Sequence, residues 1–187
     1  MSEFEKDWSA EVLYGPPMIA PARSFVYPHA VAGEEDAMGR GALYLMVKPA
    51  AGGSFLATCA LGFKDRAMPT GVFACPRVSE MCAVAGGYAY VIDTAAPERC
   101  VFLTMRPVVE VRTAESLLLF VGFHTILAWG RDGLAWETGK LSWEGVRVSA
   151  IDKGFVRGFG WDVKTDKEVE FSVDLGNGAH VGGGYSP

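Results

Sequence analysis

Three histidines, His29, His124 and His180, are the side chains best placed by type for acid–base work, because imidazole titrates closest to neutral pH. His124 follows Phe123 in an apolar stretch from Phe120 to Trp129. In an alternating strand it faces away from Phe123. It then either points at a ligand or sits hydrogen-bonded in a packed strand, the commoner fate of a histidine among apolar neighbours. His29 follows Tyr27-Pro28 and reads as a turn residue, and His180 lies near the C-terminal glycines. No two of the three stand at a metal-binding spacing. Asp162, Asp166 and Glu168 form the main carboxylate cluster, with Asp93 expected at a matching hairpin position of an earlier unit. A calcium loop needs alternating Asp residues, a Gly and a distal Glu. That order is absent, so a solvated hairpin turn is the simpler reading.

Nucleophilic chemistry has little to work with. No Gly-x-Ser-x-Gly elbow occurs. The cysteines are Cys59, Cys75, Cys82 and Cys100, set among apolar or small neighbours at spacings of 16, 7 and 18. These match no zinc pattern and read as reduced core thiols of a cytoplasmic protein. The clusters Gly182-Gly183-Gly184 and Gly158-Phe159-Gly160 lack the lysine and the strand-to-helix context of a phosphate loop. The sequence therefore points to no cofactor and no metal. Trp129, Trp136, Trp143 and Trp161 crowd into the second half of the chain. They either line a pocket for an apolar or sugar-like ligand or fill the core. As ligand-binding candidates the sequence nominates His124, Trp129, Trp161, Asp162 and His180.

Those residues must be positioned by strands. Gly at 23 residues and aromatics at 12% favour tight turns and pleated surfaces over helices. Half of the residues are hydrophobic and 21% charged, a globular composition able to bury a core without disulfides. The formal charge of −5 and the lack of a basic run argue against nucleic acid and against an anionic membrane surface. The charged N-terminus has no signal-peptide h-region, and the longest apolar stretch is too short to span a bilayer.

The organising pattern is a repeat. Segments beginning at Gly71, Pro107 and Gly145 place Gly86, Gly122 and Gly158 at a common interval of 36 residues. Each contains a short strand, a polar turn, a strand through the shared glycine, a hairpin and a third strand. A degraded first unit precedes them, carrying the acidic insertion Ala30 to Gly41. The expectation is one domain over residues 1–187: an arm at 1–15 and repeats at 16–70, 71–106, 107–144 and 145–187. Lone sheets of this size cannot bury both faces, so they must stack. The predicted fold is all-β and propeller-like with about four blades; a β-sandwich and an open barrel are the alternatives. The arm is expected to supply the last strand.

Thr138-Gly139-Lys140-Leu141-Ser142-Trp143 resembles the Thr-Gly-x-x-x-Trp turn that ends blades in quinoprotein-type propellers. There the tryptophan docks one blade on the next. Asp132-Gly133 and Ala135 stand where that family carries its preceding Ala and Asp. The resemblance implies blade stacking and carries no quinone chemistry to this chain. The functional expectation is a non-enzymatic domain that binds a small molecule or a protein. The alternatives are an enzyme with a site near the ring axis or end loops, and a small-molecule carrier if the strands form a barrel.

Overall fold

The structure, a computed structural model, describes residues 4–19, 21–28 and 38–185. His29 and residues 30–37 of the acidic insertion lie outside the described residues. Among the described residues there is no helix, and no segment forms a helix long and apolar enough to cross a membrane.

Among the described residues, sixteen strands form four four-stranded sheets. The first sheet holds β1 (Trp8–Leu13), β2 (Ser24–Tyr27), β3 (Ala42–Pro49) and β4 (Phe55–Ala60). The second holds β5 (Gly71–Ala74), β6 (Glu80–Ala85), β7 (Tyr88–Asp93) and β8 (Cys100–Phe102). The third holds β9 (Glu110–Ala114), β10 (Leu117–Val121), β11 (Ile126–Gly130) and β12 (Gly133–Glu137). The fourth holds β13 (Val146–Asp152), β14 (Phe155–Asp162), β15 (Lys167–Asp174) and β16 (His180–Gly182). The last three are antiparallel meanders in chain order. Four separate blade-like sheets make the fold all-β and propeller-like, and no barrel forms, because every strand pairs within its own sheet.

The first sheet departs from the meander. Its order is β1-β3-β4-β2, and β2 runs parallel to β4. The arm therefore supplies β1 to this sheet, where Trp8 opposes Pro49 and Leu13 opposes Tyr44. It does not complete the last sheet, whose fourth strand is its own β16. Trp8 is buried and donates through Nε1 to the Glu80 carbonyl at 3.1 Å.

The four sheets follow one another along the chain, but the three evenly spaced glycines do not share one position in them. Gly86 and Gly122 end the second strands of their sheets, at the hairpins to β7 and β11. Gly158 lies instead within β14, opposite Val148 and Phe171. Longer strands in the fourth sheet displace its corresponding turn to residues 163–166.

The chain forms two compact units, Ser2–Pro107 and Val108–Pro187, each holding two of the expected repeats. In the first, alternation turns Leu43, Leu45, Val47, Phe55, Ala57 and Cys59 of one sheet and Met81, Ala83, Tyr90 and Ile92 of the other into one buried cluster. In the second, Leu119, Val121, Ile126, Ala128 and Trp136 join Val146, Val148, Val156, Phe171 and Val173. At about 25 cal/mol per Å² of apolar surface removed from water, these clusters are the principal source of stability.

Candidate functional site

The five residues nominated from the sequence all fall in the unit Val108–Pro187. His124 is not in a strand. It occupies the turn between β10 and β11, exposed, with Nδ1 3.0 Å from the Ser142 carbonyl. Its own carbonyl accepts from the Leu141 amide at 2.7 Å. Trp129 is buried in β11, with its ring against Gly133. Trp161 is half-buried in β14, and its amide donates to Ser142 Oγ at 2.8 Å. Asp162 ends β14 and ties its own turn. It accepts from the Lys164 amide at 2.9 Å and from Thr165 Oγ1 at 2.7 Å. The Thr165 hydroxyl, then the Lys164 amide, hold its carboxyl below the usual range. Asp93 does not match it: it ends β7 and accepts from the Ala95 amide at 3.0 Å, the place Asp174 takes after β15. His180 is half-buried in β16 with its ring over Gly139. Ser142 joins His124 and Trp161 through these bonds. Among the described residues no group of three or more His, Cys, Asp or Glu is arranged to hold a metal ion.

A more developed site lies in the unit Ser2–Pro107. A cavity of about 400 Å³ opens beside β2 and β8, the edge strands of the first and second sheets. One wall is Ser24 to Pro28; the other is Tyr90, Glu98, Cys100 and Phe102. The alternation of β2 puts Phe25 and Tyr27 on one face, over Ala57 and Cys59 of β4. The register of β8 puts Cys100 beside Ile92 and Phe102 beside Tyr90. Two apolar faces thus meet at their open edges.

The rings are fixed by one another. Phe25 and Tyr27 lie parallel at 6.4 Å, and Phe25 meets Phe55 edge-on at 5.6 Å. Phe102 stacks on Tyr90 at 5.0 Å and meets Tyr88 at 5.3 Å. Arg23 lies 5.9 Å from the Phe25 ring and Arg106 lies 5.4 Å from the Phe102 ring, neither lining the cavity.

The polar groups of the lining are unequally committed. Tyr27 Oη donates to the Pro97 carbonyl. Tyr90 Oη donates to the Ala60 carbonyl at 2.8 Å and Ser24 Oγ to the Pro21 carbonyl at 3.1 Å. Burial pushes both phenols above their ordinary range and raises the Cys100 thiol to about 12. All three are neutral near pH 7. Glu98 is exposed and is the one charged residue of the lining among the described residues. Sequence reasoning passed over this set. The alternation in Ser24 to Tyr27 signals that Phe25 and Tyr27 share a face, but nothing local signals that β2 stands next to β8.

No family model matches the chain, and no curated protein matches it. Among solved structures, the crystal structure of the N-terminal domain of Nup159 aligns at 11% identity and a TM-score of 0.38, over 97% of this chain and 51% of that one. The chain thus spans about half the length of that structure.

Proposed function

We propose that this chain is a non-catalytic ligand-binding β-domain whose ligand site is the cavity between β2 and β8. The observation that carries the reading is a concave, aromatic-walled space of about 400 Å³ on the edges of two packed sheets. Small-molecule sites typically measure about 300–1,000 Å³ and combine apolar walls with a few polar groups. A binding role suits this lining better than catalysis. Its phenols are tied to carbonyls, and its thiol is protonated and so a poor nucleophile. In the other unit, Asp162 is occupied in its own turn and His124 in a backbone contact.

Further features fit the same picture. Trp143 follows the Thr138-Gly139 turn and its ring meets that of Tyr185 at a tilt, centroids 4.5 Å apart, while its amide donates to the Trp161 carbonyl at 3.0 Å. The backbone bond ties the segment after this turn to β14. All four cysteines are free thiols, which suits a reducing cytoplasmic compartment. The acidic balance disfavours nucleic acid and anionic lipid as partners.

The test is a ligand-observed NMR fragment screen on the full chain, repeated on Cys100→Phe, in which the new ring fills the space. Hits that bind the wild type and are lost in the filled variant support the reading. Hits retained unchanged in Cys100→Phe place binding elsewhere and overturn it.

A further inference from the structure

We infer that the cavity between β2 and β8 selects an organic cation: a protonated amine or quaternary ammonium carried on a flat apolar body. This deepens the ligand-site reading and rests on it. The side-chain hydroxyls of the lining have already spent their protons on protein carbonyls. Ser24 donates to Pro21, Tyr27 to Pro97 and Tyr90 to Ala60. A ligand anion would find none of these donors free. Removing one from its carbonyl would leave that acceptor unpaired, at a cost comparable to the bond gained.

What the lining offers instead is negative potential. The Glu98 carboxylate stands at the rim, close enough to Tyr27 to contribute to raising its phenol, and no ion pair engages it among the described residues. Tyr27, Phe25 and Phe102 present aromatic rings, whose faces attract cations. These rings are in the chemistry already: the molecule's own guanidinium groups of Arg23 and Arg106 sit within 6 Å of Phe25 and Phe102. Both guanidinium groups lie outside the cavity, although the Arg23 charge acts on Tyr27 in the opposite sense to Glu98. Arg23 is tied by Nη1 to the Gly53 carbonyl at 2.7 Å. The walls also dictate the body of the ligand. Two pairs of near-parallel rings, Phe25 with Tyr27 at 6° and Tyr90 with Phe102 at 19°, suit a planar or slender apolar group more than a branched polyol.

The experiment compares three probes of nearly equal shape on the full chain by NMR titration: protonated 2-phenylethylamine, the neutral 2-phenylethanol and the anionic 3-phenylpropionate. The ammonium is expected to bind about tenfold more tightly than the alcohol, with shifts at Phe25, Tyr27 and Phe102, and the carboxylate more weakly than either. Glu98 is exposed, so Glu98→Gln leaves the fold intact. It is expected to weaken the ammonium about threefold to fivefold and leave the alcohol unchanged. The ammonium preference should shrink as salt rises. If the alcohol or the carboxylate binds in the cavity as tightly as the ammonium, the cation inference is overturned while the ligand-site reading stands. If none of the three perturbs the cavity residues, and Cys100→Phe leaves the fragment hits of the wild type unchanged, both fall together.

Discussion

Ser142 shows how one side chain can hold several turns. It is wholly buried, donates to the Gly145 carbonyl at 2.7 Å, and accepts from the Trp161 amide at 2.8 Å and the Glu144 amide at 3.2 Å. Truncation to alanine leaves these groups unpaired, and an unmade buried hydrogen bond costs about 1–3 kcal/mol. Urea denaturation of Ser142→Ala should show a loss of about 2 kcal/mol with an unchanged m-value. Ser142→Thr, which keeps the hydroxyl, should lose less. Asp162 acts through its charge. Its folded carboxyl is held low by Thr165 and Lys164, so its contribution is present above the unfolded value of about 3.9 and fades as pH falls through the folded value. Asp162→Asn should therefore lower stability slightly at pH 7 and flatten the acid limb of a stability–pH curve, since the amide keeps one acceptor oxygen where the carboxylate used two and carries no charge to titrate. A steep acid limb in the variant would count against this.

Strands and turns were the most legible level. Alternation in Val146–Asp152 and Lys167–Asp174 and the unbroken apolar run from Leu117 mark strands because sheet periodicity is local. The Arg131-Asp132-Gly133 and Gly176-Asn177-Gly178 turns stand where their chemistry indicates, since only glycine takes a positive φ freely. The even glycine interval misled at Gly158, because a glycine in sequence does not say whether it bends a chain or makes room for one. Here it makes room. A β-carbon would lie 2.2 Å from the Arg147 carbonyl oxygen and 2.6 Å from Phe171 Cζ. Gly158→Ala should cost about 1–3 kcal/mol by overpacking, read as a lower urea midpoint. Gly15→Ala, with nothing within 4 Å of the new carbon, should stay within about 0.5 kcal/mol of the wild type. Equal effects in the two would remove the packing explanation.

At the scale of the molecule, all four thiols belong to the unit Ser2–Pro107, as do the two phenols pushed up by burial. Burial raises Cys59, Cys75, Cys82 and Cys100 alike. The stability that these neutral groups contribute is complete below the unfolded thiol value of about 8.5 and is lost as pH rises through their folded values. Amide exchange, corrected for its intrinsic rate, should show β4, β6 and β7 losing protection above about pH 9, with β10 and β14 holding longer. Uniform loss would overturn this assignment. The sequence held each cysteine's apolar neighbours in plain view. It did not hold the cavity beside β2 and β8, which exists only because β2, β7 and β8, far apart in the chain, converge on one place. Single-residue chemistry drew attention to histidines and tryptophans, while the cavity is built from ordinary phenylalanine and tyrosine.

The parallel seat of β2 beside β4, with β1 clasped to β3, has a temporal side. The second, third and fourth sheets grow by adding each strand to the one just made, so their loops close cheaply. The first sheet must bring Trp8 to Pro49 and Ser24 to Leu56 across long intervals, paying the closure entropy before any ladder forms. On a ribosome β1 waits unpaired until Pro49 has emerged, and β2 until β4 is complete at Ala60. β1 and β2 are thus among the last strands to settle. Pulse-labelled refolding should find the amides of β14 and β15 protected before those of β1 and β2, and the reverse order would refute it.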